Sequence, residues 1–161
     1  MVARAYTVAF EGVSARSVEV QCAVTPGLPA FSIVGLPDKA VSEARDRVRA
    51  ALSSLSIALP SKRITINLSP ADLPKEGSHF DLPIAMALLA ALDILPTDEV
   101  ERTISLGELS LDGALVPVVG ALPAAMPRHA KNERSCALLP PVLKRLGSAL
   151  PKLSQRKLLL M

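Results

Sequence analysis

Apolar and polar residues change rhythm along this chain, and each change marks an element. Residues 3–10 (ARAYTVAF) and 16–24 (RSVEVQCAV) alternate and are rich in valine, which predicts two strands. Glu11-Gly12-Val13-Ser14 between them predicts a hairpin turn. Val18, Val20 and Cys22 then share one face, with Ser17, Glu19 and Gln21 on the other. Thr25 to Pro29 breaks the chain, and residues 30–34 (AFSIV) predict a third short strand. From about 37 to 55 the period lengthens: Val41, Ala44, Val48, Ala51, Leu52 and Leu55 recur at spacings of three and four, the stripe of an amphipathic helix. Asp38, Glu43 and Asp46 load its first half, where the helix dipole favours acid.

Pro60-Ser61 resets the chain, and Ile64, Ile66 and Leu68 alternate in a strand over 62–68. A polar loop follows from Ser69 to Ser78. Residues 80–95 (FDLPIAMALLAALDIL) predict a helix apolar on almost every side, which implies burial all round. Asp81 is its expected N-cap, with Pro83 in the first turn, where proline is tolerated. Residues 103–108 and 115–119 predict strands around Leu111-Asp112-Gly113, because Asp-Gly is a hairpin signal. A short helix over 121–131 and a last strand over 135–139 complete the pattern, and residues 141–161 predict a weak helix or a disordered tail. This order predicts an α/β (α+β) layer fold: a mixed sheet with packed helices.

Composition narrows the picture. The chain has 161 residues, half of them hydrophobic but only 2% aromatic, so the core is aliphatic. Few aromatics leave few platforms for stacking bases. Ten Lys and Arg against fourteen Asp and Glu give residues 1–126 a balance of −4, whereas residues 127–161 carry eight bases and one acid, Glu133. The basic pI belongs to the tail, which suits either a solvated end or contact with nucleic acid or an acidic surface. Cys22 and Cys136 form no CxxC pair; two thiols in a reducing cytosol are the expectation, with a disulfide as the alternative. No apolar run is long enough to predict a membrane span, and the N-terminus lacks a signal peptide's apolar stretch.

Candidate chemistry is sparse. No glycine belongs to a GxxxxGK[ST] phosphate loop or a GxGxxG fingerprint, so no bound nucleotide is expected in this chain. His79 and His129 are isolated, and no metal site is expected. One segment stands apart: Ser69 to Pro83 (SPADLPKEGSHFDLP) links an apolar strand to the start of an apolar helix, a place where backbone N–H groups can bind anions. The plainer reading is that its acids, Asp72, Glu76 and Asp81, cap and fix a tight strand-to-helix turn.

Three long stretches, Phe31–Leu52, Ile64–Leu89 and Gly107–Ala125, together resemble the YifB/ComM family of magnesium-chelatase-like AAA+ proteins. The resemblance covers about residues 3–139 and implies an N-terminal domain over residues 1–140 with the fold of the Lon protease C-terminal domain, a ribosomal-protein-domain-2-like fold. It implies a cytoplasmic parent that forms hexameric rings, acts on DNA in branch migration and natural transformation, and binds ATP and magnesium in an ATPase domain lying after this region. It further implies where a Lon-like nucleophile and lysine would stand. Pro74-Lys75-Glu76-Gly77 matches the start of the nucleophile motif, which puts the serine's position at His79, with Ser78 one place earlier. The lysine's position falls on Pro123. Proline supplies no amine, so no Ser-Lys dyad and no catalysis is expected. Ser78 and Lys75 are the one substitute pair, flanking a single short loop.

The expectation is therefore a non-catalytic domain that makes contacts: subunit assembly or DNA. The loop Pro74, Lys75, Glu76, Gly77, Ser78 and Asp81 is the candidate interface, and Arg45, Arg47, Arg49, Lys62 and Arg63 are the candidate contacts to DNA or a partner. A solvated helix face is the plainer account of the same arginines. After about Leu139 the likeness ends, which also suits a truncated or frameshifted remnant; a cryptic Lon-like hydrolase is the third alternative.

Overall fold

The computed structural model describes residues 2–12 and 14–119. Strands β1 (Val2–Glu11) and β2 (Ser14–Thr25) form the expected hairpin; β3 (Ala30–Val34) and β4 (Arg63–Ser69) complete a four-stranded sheet in the order β1-β2-β4-β3. β1–β2 and β2–β4 run antiparallel and β3–β4 parallel, which makes the sheet mixed, as predicted. Register follows the alternation read from the sequence. Ala5, Val20 and Leu68 lie opposite one another, as do Ala3, Cys22 and Ile66, and all are buried on one face. The other face is polar at its centre, although Tyr6 and Val8 on β1 are buried there. There Arg4 donates to Glu19, Gln21 donates to Glu19, and Asn67 donates to Gln21, a ladder across β1, β2 and β4.

Helix α1 (Lys39–Ser54) buries Val41, Ala44, Val48, Ala51 and Leu52, the stripe its spacing predicted. Full burial of each larger side chain contributes about 1.5–3 kcal/mol. α2 (Asp81–Ala91), preceded by a single 3-10 turn (Ser78–Phe80), is buried from Asp81 to Ala90. α2 packs on β1 and β2, and α1 packs on α2 and β3.

α1 ends where its pattern predicts, at Ser54 with Leu55 as cap, whereas α2 stops earlier than its apolar pattern suggests. In α1, Ser56 takes a left-handed φ of 63°, its N–H donates to Ser53 O, and Ile57 N–H donates to Leu52 O. In α2, Asp93 takes φ 58°, its N–H donates to Ala90 O, and Ile94 N–H donates to Leu89 O. Each end is a Schellman motif with serine or aspartate where glycine is usual, so the glycine that signals a stop is missing. The helix predicted to Leu95 therefore ends at Ala91, followed by α3 (Thr97–Glu101).

The strand predicted over 103–108 is mostly a bare segment laid along β1: Ile104 bridges Tyr6 in parallel, and Ser105 N–H donates to Tyr6 O at 2.9 Å. Only β5 (Glu108–Leu109) and β6 (Leu115–Val116) pair around the Asp-Gly turn. The helix expected over 121–131, the strand over 135–139 and the tail over 141–161 lie outside the described residues. No helix among the described residues is long and apolar enough to cross a membrane.

Candidate functional site

The singled-out loop is built against the corner between β3 and α1. Gly35 turns that corner at φ 105°, and a Cβ there would stand 2.1 Å from Leu68 O, so only glycine fits. Leu36 follows at φ 55°, a left-handed conformation for a residue with a Cβ. The loop pairs with this corner: Lys75 N–H donates to Leu36 O at 3.3 Å, and Asp38 N–H donates to Lys75 O at 3.0 Å. Asp38 joins the two segments. Its carboxylate accepts Val41 N–H at 2.6 Å, as the N-cap of α1, and Gly77 N–H at 3.3 Å.

Lys75, expected on the surface, is buried, and its ammonium donates to Pro70 O. Burial pushes its pKa below the ordinary lysine value, an effect that nearby Asp72 partly opposes. With the amine directed at a carbonyl, the Ser78–Lys75 pair is not assembled. Pro74 and Glu76 are exposed, and Gly77 and Ser78 are half-buried.

His79 occupies the position at which a Lon-like nucleophile was expected, and it has a structural task. It is buried, its Nε2 lies 2.8 Å from Val8 O, and its ring packs 5.4 Å from Phe10 and 4.4 Å from Phe80, centroid to centroid. Its carbonyl accepts Gly107 N–H at 3.1 Å. Burial lowers its pKa, while the Val8 carbonyl and the carboxylates of Asp81 and Asp38 oppose the shift. Pro123, the expected lysine position, lies outside the described residues.

Asp81 is not the N-cap the sequence suggested; Phe80 holds that place without a side-chain cap. Asp81 is fully buried and accepts Arg47 at 2.6 Å and 2.9 Å, a two-pronged pair, and Leu109 N–H at 3.0 Å. Arg47 also donates to Ala40 O at 2.8 Å, and its bond to Asp81 holds its pKa up. One carboxylate therefore ties α1, α2 and β5 together.

The five basic candidates do not form one patch. Arg47 is committed to Asp81. Arg45 is exposed and paired with neighbouring Asp46 at 3.1 Å, and Arg49 is exposed on the same helix. Arg63 starts β4 on the polar sheet face, away from the helix layer, with Lys62 exposed before it.

The helix starts do not fit a phosphate. Asp38 fills the end of α1, and Asp81 sits in the first turn of α2, both bringing negative charge to the N–H groups an anion would use. Among the described residues, no three His, Cys, Asp or Glu side chains group as a metal site. Cys22 is a free, buried thiol whose pKa burial pushes up to about 12.

A family model described as "Subunit ChlI of Mg-chelatase" matches residues 18–142. An uncharacterized protein of Escherichia coli named YifB is 49% identical over 120 residues, 74% of this chain and 24% of its own length. A protein of Haemophilus influenzae named competence protein ComM is 48% identical over 121 residues, 75% of this chain and 24% of its own. An uncharacterized protein of Mycobacterium tuberculosis is 48% identical over 123 residues, 76% of this chain and 24% of its own. The chain thus spans about a quarter of the length of the curated relatives it matches.

Proposed function

This chain belongs to the ChlI family of magnesium-chelatase-like proteins, with YifB and ComM among its relatives, and from that premise we propose that it is the non-catalytic contact domain of a longer AAA+ ATPase. Its task is subunit assembly in a cytoplasmic machine that handles DNA during competence or recombination. One observation carries this reading. Three polar groups of the candidate loop are directed inward, Lys75 to Pro70, His79 to Val8 and Asp81 to Arg47, with Asp72 and Glu76 left at the surface, while the corner beside them presents Leu36 outward, 60% exposed. A left-handed leucine costs about 1–2 kcal/mol. Holding an apolar side chain in water by that strain suits a corner that meets another protein surface, not one that performs chemistry.

The test is co-sedimentation of this chain with a longer relative from which the matching region has been removed. The expected result is co-migration that Leu36→Asp abolishes; independent migration of the two, or indifference to Leu36→Asp, overturns the reading.

A second reading, direct DNA contact, draws on the exposure of the neighbouring Lys62 and Arg63. Two phosphate contacts would give a log–log salt slope of about −1.8 on duplex DNA. Fluorescence anisotropy with a forked duplex at rising salt measures it, and an affinity without salt dependence removes this reading.

A further inference from the structure

The two edges of the main sheet are finished differently. On β1, Tyr6 O accepts Ser105 N–H and Val8 O meets His79, so the middle of the outward row of carbonyls is occupied. On β3, the described residues supply a partner on the β4 side alone. This second edge is short and preceded by Pro29, but the strand itself is unguarded. Ala30–Val34 contains no charge, no proline and no bulge.

Strand alternation shows which groups the open edge presents. Ala30 N–H donates towards β4, to Lys62 O at 3.4 Å. The N–H and C=O groups of Phe31 and Ile33 therefore point the other way, to the free edge.

We propose that this edge pairs with the β3 of a second copy of the chain, antiparallel about a two-fold axis through Ser32. That register fits itself. It sets Phe31 opposite Ile33 of the copy as hydrogen-bonded pairs, which uses all four outward groups on each strand. It sets Ser32 opposite its own copy as a non-hydrogen-bonded pair, and Ala30 opposite Val34. Beyond the strand ends it brings Leu28, 80% exposed, towards Leu36 of the copy, 60% exposed, with Val34, 45% exposed, between them and the axis. No charge meets its like across the axis, as a self-complementary contact requires. The result is one continuous sheet through two chains. Such a two-fold contact differs from the head-to-tail contact a ring repeats, so it goes beyond the assembly reading above.

The experiment uses the full chain with Cys136→Ser, which leaves only the buried Cys22 thiol. Ser32→Cys is then oxidised mildly. Opposite residues of a non-hydrogen-bonded pair stand about 4.5 Å apart between Cα atoms, within the reach of a disulfide. The expected result is a covalent dimer from Ser32→Cys. Thr65→Cys, one strand inward and about 14 Å from its own copy, stays monomeric on a denaturing gel. In sedimentation from micromolar to sub-millimolar concentration, the parent chain shifts from monomer to dimer. Ser32→Glu, which sets like charges on the axis, stays monomeric with an unchanged circular-dichroism spectrum. A chain that is monomeric throughout overturns this contact and leaves the co-sedimentation test of the assembly reading intact. A dimer that Ser32→Glu does not weaken, or that Ser32→Cys does not trap, also overturns it.

Discussion

The covered and the open edge of one sheet pose the same physical problem and are solved differently. Both expose backbone groups that water must solvate or another chain must pair. β1 is covered by residues far along the sequence: Ile104 and Ser105 from the segment after α3, and His79 from the turn before α2. β3, five residues long, shows small or apolar side chains to solvent at Ala30, Ser32 and Val34. The difference teaches where this fold concentrates its stabilising interactions. The turn that covers β1 also leads into the acid of the ion pair, since Asp81 lies two residues after His79 and holds Leu109 just beyond the segment.

The sharpest way to break that covered side is Asp81→Ala. It leaves the partly exposed Arg47 guanidinium with only Ala40 O and the more distant Glu43, and Leu109 N–H without its acceptor, a loss of about 2–4 kcal/mol. Urea unfolding monitored by circular dichroism measures it. A loss under 1 kcal/mol would mean that the pair contributes little, as exposed pairs do. Arg45→Ala, two residues before Arg47 on the exposed face, is the matched control and is expected to leave the unfolding midpoint unchanged.

His79→Ala is next, at about 2–3 kcal/mol, because it empties a packed ring site and leaves Val8 O unpaired. The pH dependence has a definite sign. Burial lowers the folded pKa of His79, so the unfolded chain binds the proton more readily. This contribution is complete above the unfolded value of about 6.5 and is lost as pH falls through that value towards the folded pKa. His79→Gln should flatten the stability curve between neutral and mildly acid pH; an unchanged slope would mean that other groups set it.

A smaller change tests the same strand from inside. Thr7 on β1 is fully buried, and its hydroxyl finds no hydrogen-bond partner among the described residues. Thr7→Val removes that hydroxyl at nearly constant shape and should raise stability by about 1 kcal/mol. A fall in the denaturation midpoint would show that the hydroxyl is satisfied. The smallest effect belongs to the open edge. Ser32→Glu at low concentration, where the chain is monomeric, should change stability by about 0.5 kcal/mol or less. The corresponding charge on the covered strand, Val8→Glu, should be severely destabilising, because Val8 is 2% exposed.

Much of this was legible from residue order. The alternation of Val18, Val20 and Cys22 gave their face, and the spacing of Val41, Ala44, Val48 and Leu52 gave the buried stripe of α1. The end of α2 was less legible because Asp93 does the work of glycine. The candidate loop was found, but the surroundings of its side chains were not. Lys75 and Arg47 look like surface cations in sequence, and nothing near them in the chain reveals Pro70 O or Asp81 as their acceptors.

Local periodicity therefore determined most of the elements and their faces, because each depends on neighbours a few residues apart, whereas the family rested on the likeness of three long stretches to known sequences. The absence of a phosphate loop was equally plain from spacing. Only the tertiary structure decided which polar side chains are occupied within the fold. Arg47 and Asp81 are separated by 34 positions, and His79 and Val8 by 71, yet each pair shares a hydrogen bond. The same is true of the edges: β1 and β3 read alike as apolar strands, and among the described residues it is β1 that is covered, by chain brought back from a distance.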